Sequence, residues 1–140
     1  MSRVINTNSP GKRRSHLMRT SAELLRRLSQ KQDIDDDSKN MLALLVYCLR
    51  DIHEGIDESA SAWEKRDYWM KAEEFRERWR WSGSLAKGLE TIVLQETWQE
   101  LPTIMLKLFP HFADIKINKY TRKENLWQGC YKQLKSESET

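Results

Sequence analysis

The chain has 140 residues, of which 39% are hydrophobic and 32% are charged, and its net charge is +3. This length suits a single domain whose core needs no metal or disulfide, and the six tryptophans argue against a disordered chain. No stretch approaches the roughly twenty apolar residues of a transmembrane helix, and the polar start does not resemble a secretory signal peptide. We therefore expect a cytoplasmic protein with no membrane segment, in which Cys48 and Cys130 are reduced thiols.

Charge is distributed unevenly along the chain. Residues 1–31 contain eight basic side chains and one acidic one, a net charge of +7, whereas residues 32–64 carry −7 and the remainder +3. Such asymmetry indicates either a polyanionic partner or pairing between the two segments, in particular with the acids of residues 33–37. The sequence leaves both possibilities open.

Residues 1–14 contain turn-forming residues and no apolar periodicity, so they are predicted to be a flexible basic arm. A first amphipathic helix is predicted to begin at Ser15, a good N-cap, and to run to about Gln30 with its arginines outward. The acids of residues 33–37 resemble the beginning of a calcium loop, but the glycine and the last glutamate of that loop are missing. These acids are therefore interpreted as caps for the next helix.

That next helix is predicted over residues 38–54, where apolar side chains occur on almost every side, so it should be the centre of a bundle. Gly55 is expected to end it. A long, tryptophan-rich helix is predicted over residues 57–81. Ser82, Gly83 and Ser84 are expected to separate it from a further helix.

The last third of the chain is predicted to contain a short helix that has Pro102 in its first turn and is closed by Pro110. Residues 113–120 alternate between apolar and polar side chains and are predicted to be extended. Thr121 and Glu124 have the spacing of a capping box that would open the last helix. The buried face of that helix is predicted to be Trp127, Cys130, Tyr131 and Leu134.

Together these elements predict an all-α fold, a compact bundle of five to six helices with a flexible basic N-terminal arm. The predicted organisation is an arm at residues 1–14, a single helical domain at residues 15–135 and a frayed polar tail at residues 136–140.

No motif in the sequence is typical of catalysis or of metal binding. His16, His53 and His111 are scattered, zinc sites need closely paired ligands, and the chain has no glycine-rich phosphate loop. We therefore predict no catalytic residues, no metal, no cofactor and no enzymatic activity. An enzyme whose site forms around His53 and His111 is kept as a third hypothesis.

The arm and the first helix form the first feature that predicts binding, because basic side chains on a flexible lead into a helix can neutralise phosphates. The alternative is an ordinary solvated face. The partner would be DNA or RNA bound without sequence specificity. The predicted nucleic-acid-binding residues are Lys12, Arg13, Arg14, Arg19, Arg26 and Arg27.

The second feature is the surplus of aromatic residues on the long helix, where Arg and Trp alternate in residues 76–81. Aromatic and Met side chains are enriched in protein interfaces. The predicted partner-binding residues are Trp63, Trp69, Met70 and Trp81. The leading hypothesis is thus a non-enzymatic, nucleic-acid-associated accessory protein, and the alternative is a protein–protein adaptor or homo-oligomeric helical module.

Overall fold

The computed structural model describes residues 9–140. Within this range the chain forms five α-helices and no β-strand, which confirms the all-α prediction. No helix in the same range is long and apolar enough to cross a membrane. The helices are α1 (Pro10–Ser29), α2 (Asp36–Glu64), α3 (Trp69–Gln95), α4 (Leu101–Phe112) and α5 (Cys130–Ser138).

Helix α1 begins at Pro10 and not at Ser15. A proline suits the first turn because that position has no helical partner for an N–H group, and Ser9 occupies the N-cap. The prediction of an arm is therefore wrong for residues 10–14, which are helical. Its remaining part, residues 1–8, lies outside the described residues.

Helices α2 and α3 are longer than predicted, and the break between them is elsewhere. Helix α2 continues through Gly55, with Ile52 and Ile56 buried on either side of it, and α3 continues through Gly83. The chain instead turns at residues 65–68, where Asp67 has a φ of 65° in the left-handed region. Burial of the flanking apolar side chains outweighs the cost of about 1 kcal/mol for a glycine in a helix.

The core is arranged around α2, which packs against α1, α3 and α5. Its main cluster contains the fully buried Leu42, Leu45 and Leu49 together with Leu89 of α3 and Leu108 of α4. A smaller cluster supports the other end of the bundle, near the turn between α2 and α3, and consists of Ile52, Ile56 and Phe75. The prediction that this helix is central is confirmed.

The acids before α2 cap it, as predicted. The carboxylate of Asp35 accepts a hydrogen bond from the backbone N–H of Ser38 at 2.8 Å. Lys31 forms an ion pair with Asp35 at 2.7 Å. Among the described ion pairs, Lys31 is the one basic residue of residues 1–31 that pairs with the acids of residues 33–37. Pairing with these acids therefore explains little of the uneven charge distribution.

Three further boundaries differ from prediction. Helix α4 includes Pro110 and runs to Phe112, and α5 begins at Cys130, after a single 3₁₀ turn at Glu124–Leu126. The capping-box prediction is wrong, because Thr121 hydrogen-bonds to α1 and the 3₁₀ turn starts with Lys123 at its N-cap position. Helix α5 also extends to Ser138, beyond the predicted end of the helical domain at residue 135.

Candidate nucleic-acid interface

Three of the predicted nucleic-acid-binding residues form one stripe on α1. Lys12, Arg19 and Arg26 are spaced seven residues apart, which places them on the same helix face at intervals of about 10 Å. Lys12 and Arg26 are exposed, and the Arg19 side chain is 30% exposed. The helix therefore presents a row of cations to solvent.

Arg13 and Arg14 lie at the first turns of α1 and differ in their surroundings. The guanidinium of Arg14 lies over the rings of Phe75 and Trp79, 5.2 and 5.4 Å from their centroids. Burial lowers the pKa of Arg14 from its ordinary value. Arg13 is exposed and lines a depression that also contains Arg66 of the turn after α2. Arg14 is thus held against the core, whereas Arg13 is available to a ligand.

Arg27 is also held by the protein. Its guanidinium lies 3.9 Å from the Tyr120 ring centroid and 5.1 Å from that of Trp127. One terminal nitrogen donates to the backbone carbonyl of Arg122 at 3.0 Å, and the buried Nε has no hydrogen-bond partner among the described residues. Cation–π contacts of this kind keep the charge but fix the side chain against its neighbours.

Glu23 holds residues 113–123, the first part of the connection between α4 and α5, against α1. Its carboxylate is fully buried and accepts hydrogen bonds from the backbone N–H groups of Thr121 and Arg122, both at 2.9 Å. It also accepts from the Thr121 hydroxyl at 2.6 Å and from Arg19 Nε at 2.9 Å. Burial alone would raise the pKa of Glu23, but these hydrogen bonds to the ionised form lower it to about 2.

Two arginines of the stripe also bind the backbone of residues 113–123. Arg19 donates to the carbonyls of Lys116 and Lys119, at 3.4 and 3.0 Å, and Arg26 donates to the carbonyl of Ile117 at 2.8 Å. A carbonyl orients a guanidinium without neutralising its charge. The contacts therefore fix the arginines in place and bring further basic residues next to them.

The bases of residues 113–123 are the site residues that the sequence analysis missed. Arg122 is half-buried and donates to the Thr20 hydroxyl at 2.9 Å and to the His16 carbonyl at 3.1 Å, while the three lysines are exposed. The spacing of these bases in the sequence was a signal of a charged segment, but nothing local indicated its contact with α1. The missed residues are Lys116, Lys119, Arg122 and Lys123.

We call α1 together with residues 113–123 the basic face. It contains ten basic side chains and two acidic ones, a net charge of +8. Since the whole chain carries +3, the remaining residues carry −5. The fold thus concentrates positive charge that is separated in the sequence.

The four predicted partner-binding residues divide into two pairs. Trp63 packs against Phe75 with ring centroids 4.8 Å apart, and Trp81 stacks on His111 at 3.9 Å, so both are engaged inside the protein. Trp69 and Met70 are 60% and 77% exposed. These last two remain available to a partner.

The structure gives the histidines separate surroundings. The His53 ring lies against Gly83, where an added Cβ would come within 2.8 Å of it, and His111 stacks on Trp81. Within residues 9–140 no group of three His, Cys, Asp or Glu side chains is placed to hold a metal ion. The hypothesis of an enzyme built around His53 and His111 gains no support from these contacts.

Comparisons with protein families, with curated proteins and with solved structures find no match to this chain. The function is therefore inferred from the geometry of the basic face and its surroundings.

Proposed function

We propose that this is a non-enzymatic, nucleic-acid-associated accessory protein that binds the phosphate backbone through its basic face. The observation that carries the proposal is the net charge of +8 gathered on α1 and residues 113–123, while the rest of the chain is acidic. A polyanion would be attracted to this face, whereas the remaining residues have a net negative charge of −5.

The arrangement favours binding without sequence readout. Arg19 and Arg26 already donate to backbone carbonyls, so fewer of their N–H groups are free to read base edges. Exposed lysines such as Lys12 and Lys119 contribute point charges, which suit phosphates. Because the arginines are already ordered by the fold, less side-chain entropy is lost on binding. Either DNA or RNA satisfies these requirements.

Fluorescence anisotropy with a labelled oligonucleotide over a range of salt concentrations tests this proposal. Affinity should fall steeply with salt, and the triple variant Lys12→Ala, Arg26→Ala, Lys119→Ala should reduce the magnitude of the log–log salt slope by about 3. All three side chains are exposed, Lys119 accepts its hydrogen bond through its backbone, and Arg26→Ala removes one exposed hydrogen bond to the Ile117 carbonyl, so the fold should be retained.

A matched control removes three exposed lysines from other parts of the surface. Lys87→Ala, Lys107→Ala, Lys132→Ala produces the same change in net charge but leaves the basic face intact. The control should retain most of the affinity. Equal losses in the two variants, or no binding at low salt, would contradict the proposal.

The second candidate function is a protein–protein adaptor or a homo-oligomeric module. It is supported by the exposure of Trp69 and Met70, which are adjacent at the start of α3. Light scattering over a range of concentrations should then show association that Trp69→Ala, Met70→Ala abolishes. A monomer at every concentration would remove the homo-oligomer form of this candidate.

The remaining parts of the proposal concern chemistry and location. We still predict that the protein has no catalytic activity, no metal and no cofactor. The cytoplasmic location is also a prediction. Cys48 and Cys130 are both free and buried, as expected for the reduced thiols of such a compartment. Fractionation of the native cell followed by immunodetection tests the location.

A further inference from the structure

The turn between α2 and α3 exposes three consecutive large side chains. Tyr68, Trp69 and Met70 are 52%, 60% and 77% exposed. We call residues 65–71 the aromatic tip. The turn is well defined, since the Tyr68 N–H donates to the Trp63 carbonyl at 2.9 Å. Two flat aromatic rings are therefore presented to solvent from an ordered turn.

Basic residues outnumber acidic ones within this tip. Residues 65–71 contain three basic side chains and one acid, a net charge of +2. The Lys71 side chain lies over the Trp63 ring, with its Nζ 4.5 Å from the ring centroid. The three bases are Lys65, Arg66 and Lys71. An anionic ligand is thus favoured over a neutral apolar one.

The tip is next to the beginning of α1. Arg66 lines a depression of about 410 Å³ together with Arg13 and Arg14, and the one carboxylate in its lining is Glu58. A phosphate chain that follows the stripe of α1 would therefore reach Arg13 and then Arg66. The exposed rings of Tyr68 and Trp69 follow Arg66 by two and three residues in the chain.

The surface of α3 that follows the tip is acidic. A shallow depression beside Met70 is lined by Glu73, Glu74 and Glu77 with Arg78. Carboxylates repel phosphate, so a strand arriving from α1 would end at the tip and would not continue along α3. The proposed path of the phosphate chain therefore runs along α1 and ends at the tip. Its length is about 30 Å, the length of α1.

We propose that Tyr68 and Trp69 stack on unpaired bases of a single strand whose phosphates lie along α1. This inference rests on the proposed function. Both faces of a base inside a duplex are covered by its neighbours, whereas the bases of a single strand can stack on aromatic side chains of any protein that also holds its backbone. The flanking cations favour this ligand over an uncharged protein surface.

The test compares a single-stranded 12-nucleotide DNA with the corresponding duplex in anisotropy titrations of the intact protein. The variant Tyr68→Ala, Trp69→Ala should weaken binding of the single strand by at least about 5- to 150-fold, the range for loss of one stacked base, and should leave duplex affinity within about twofold. Trp69→Phe with Tyr68 retained should recover most of the single-strand affinity, because a Phe ring can still stack.

A control variant, Leu106→Ala, Phe109→Ala, removes two exposed apolar side chains from α4 and should not change either affinity. If the wild-type protein binds neither DNA, the proposed function fails together with this inference. If it binds both and the tip variant is unaffected, this inference alone is overturned. Equal weakening of both, accompanied by loss of self-association in light scattering, would also overturn it and assign the tip to a protein interface.

Discussion

The basic face and the aromatic tip lie near the same helix but differ in how the fold treats their side chains. In the basic face, Arg19 and Arg26 each donate to backbone carbonyls of residues 113–123, and the buried Glu23 completes the network. At the tip, Trp69 and Met70 have most of their surface in water. Charge on the basic face is thus ordered before any ligand arrives, whereas the tip gains stabilisation only when something covers it.

The largest expected effect separates two tryptophans that differ in burial. Trp127 is 2% exposed and its Nε1 donates to Asp37 at 2.7 Å, so Trp127→Ala should lower the free energy of unfolding by about 3–5 kcal/mol. Trp69→Ala makes the same chemical change at a 60% exposed position and should alter the free energy of unfolding by less than about 0.5 kcal/mol. Urea denaturation followed by circular dichroism measures both, and similar losses would contradict the contrast.

A slightly smaller effect is expected when the charge of Glu23 is removed. Glu23→Gln should lower the free energy of unfolding by about 3 kcal/mol, because the hydrogen-bond donors of Thr121, Arg122 and Arg19 lose a buried, ionised acceptor. Glu73→Gln is the matched control, since Glu73 is exposed on α3. Chemical denaturation of the two variants is the measurement, and an equal, small effect in both would show that the network contributes little.

The same carboxylate predicts a dependence of stability on pH. Hydrogen bonding lowers the pKa of Glu23 from about 4.5 to about 2, so the folded state binds this proton less readily than the unfolded state. Its contribution is complete above pH 4.5 and is lost as the pH falls towards 2. The difference in unfolding free energy between wild type and Glu23→Gln should therefore shrink across this interval. A difference that stays constant would show that ionisation of Glu23 is not the cause.

The smallest expected effect is stabilising and concerns the half of α2 that supports the tip. Gly55 lies inside α2, and an added Cβ would meet nothing within 4 Å. Gly55→Ala should raise the free energy of unfolding by about 0.5–1 kcal/mol through helix propensity. Gly83→Ala is the comparison, because its Cβ would come within 2.8 Å of the His53 ring and cancel part of the gain. Thermal unfolding of the two variants measures both effects. Destabilisation by Gly55→Ala would show that the space around the added Cβ is not open.

The helical class and the central position of α2 could be predicted because they depend on apolar spacing within one element. The break between α2 and α3 could not, since residues 65–68 contain no glycine or proline and Asp67 adopts its left-handed conformation in the tertiary context. Gly55 and Gly83 instead indicated helix ends at positions where the helices continue. Their cost within a helix is small compared with the burial of neighbours such as Ile52 and Ile56.

The candidate site, like the fold, could be predicted only in part from the sequence. The cations of α1 stand close together in the sequence, so their charge was visible there. The lysines of residues 113–123 belong to the same face because this segment binds α1 through Glu23, Arg19 and Arg26, and such contacts between distant residues have no local signature. The capping-box prediction was wrong for the same reason, because Glu23 takes the hydroxyl that would have capped the last helix.

The Glu23 contact also has a consequence for the order of folding. Helices α2 and α3 are neighbours in the chain and can pair early, whereas Glu23 and Thr121 are 98 positions apart. During synthesis, α1 and α2 leave the ribosome well before Thr121 does. Until then the carboxylate of Glu23 has only Arg19 as a partner from its own helix. The nascent chain therefore lacks the assembled basic face, and the proposed affinity for polyanions would arise only after residues 113–123 have left the ribosome.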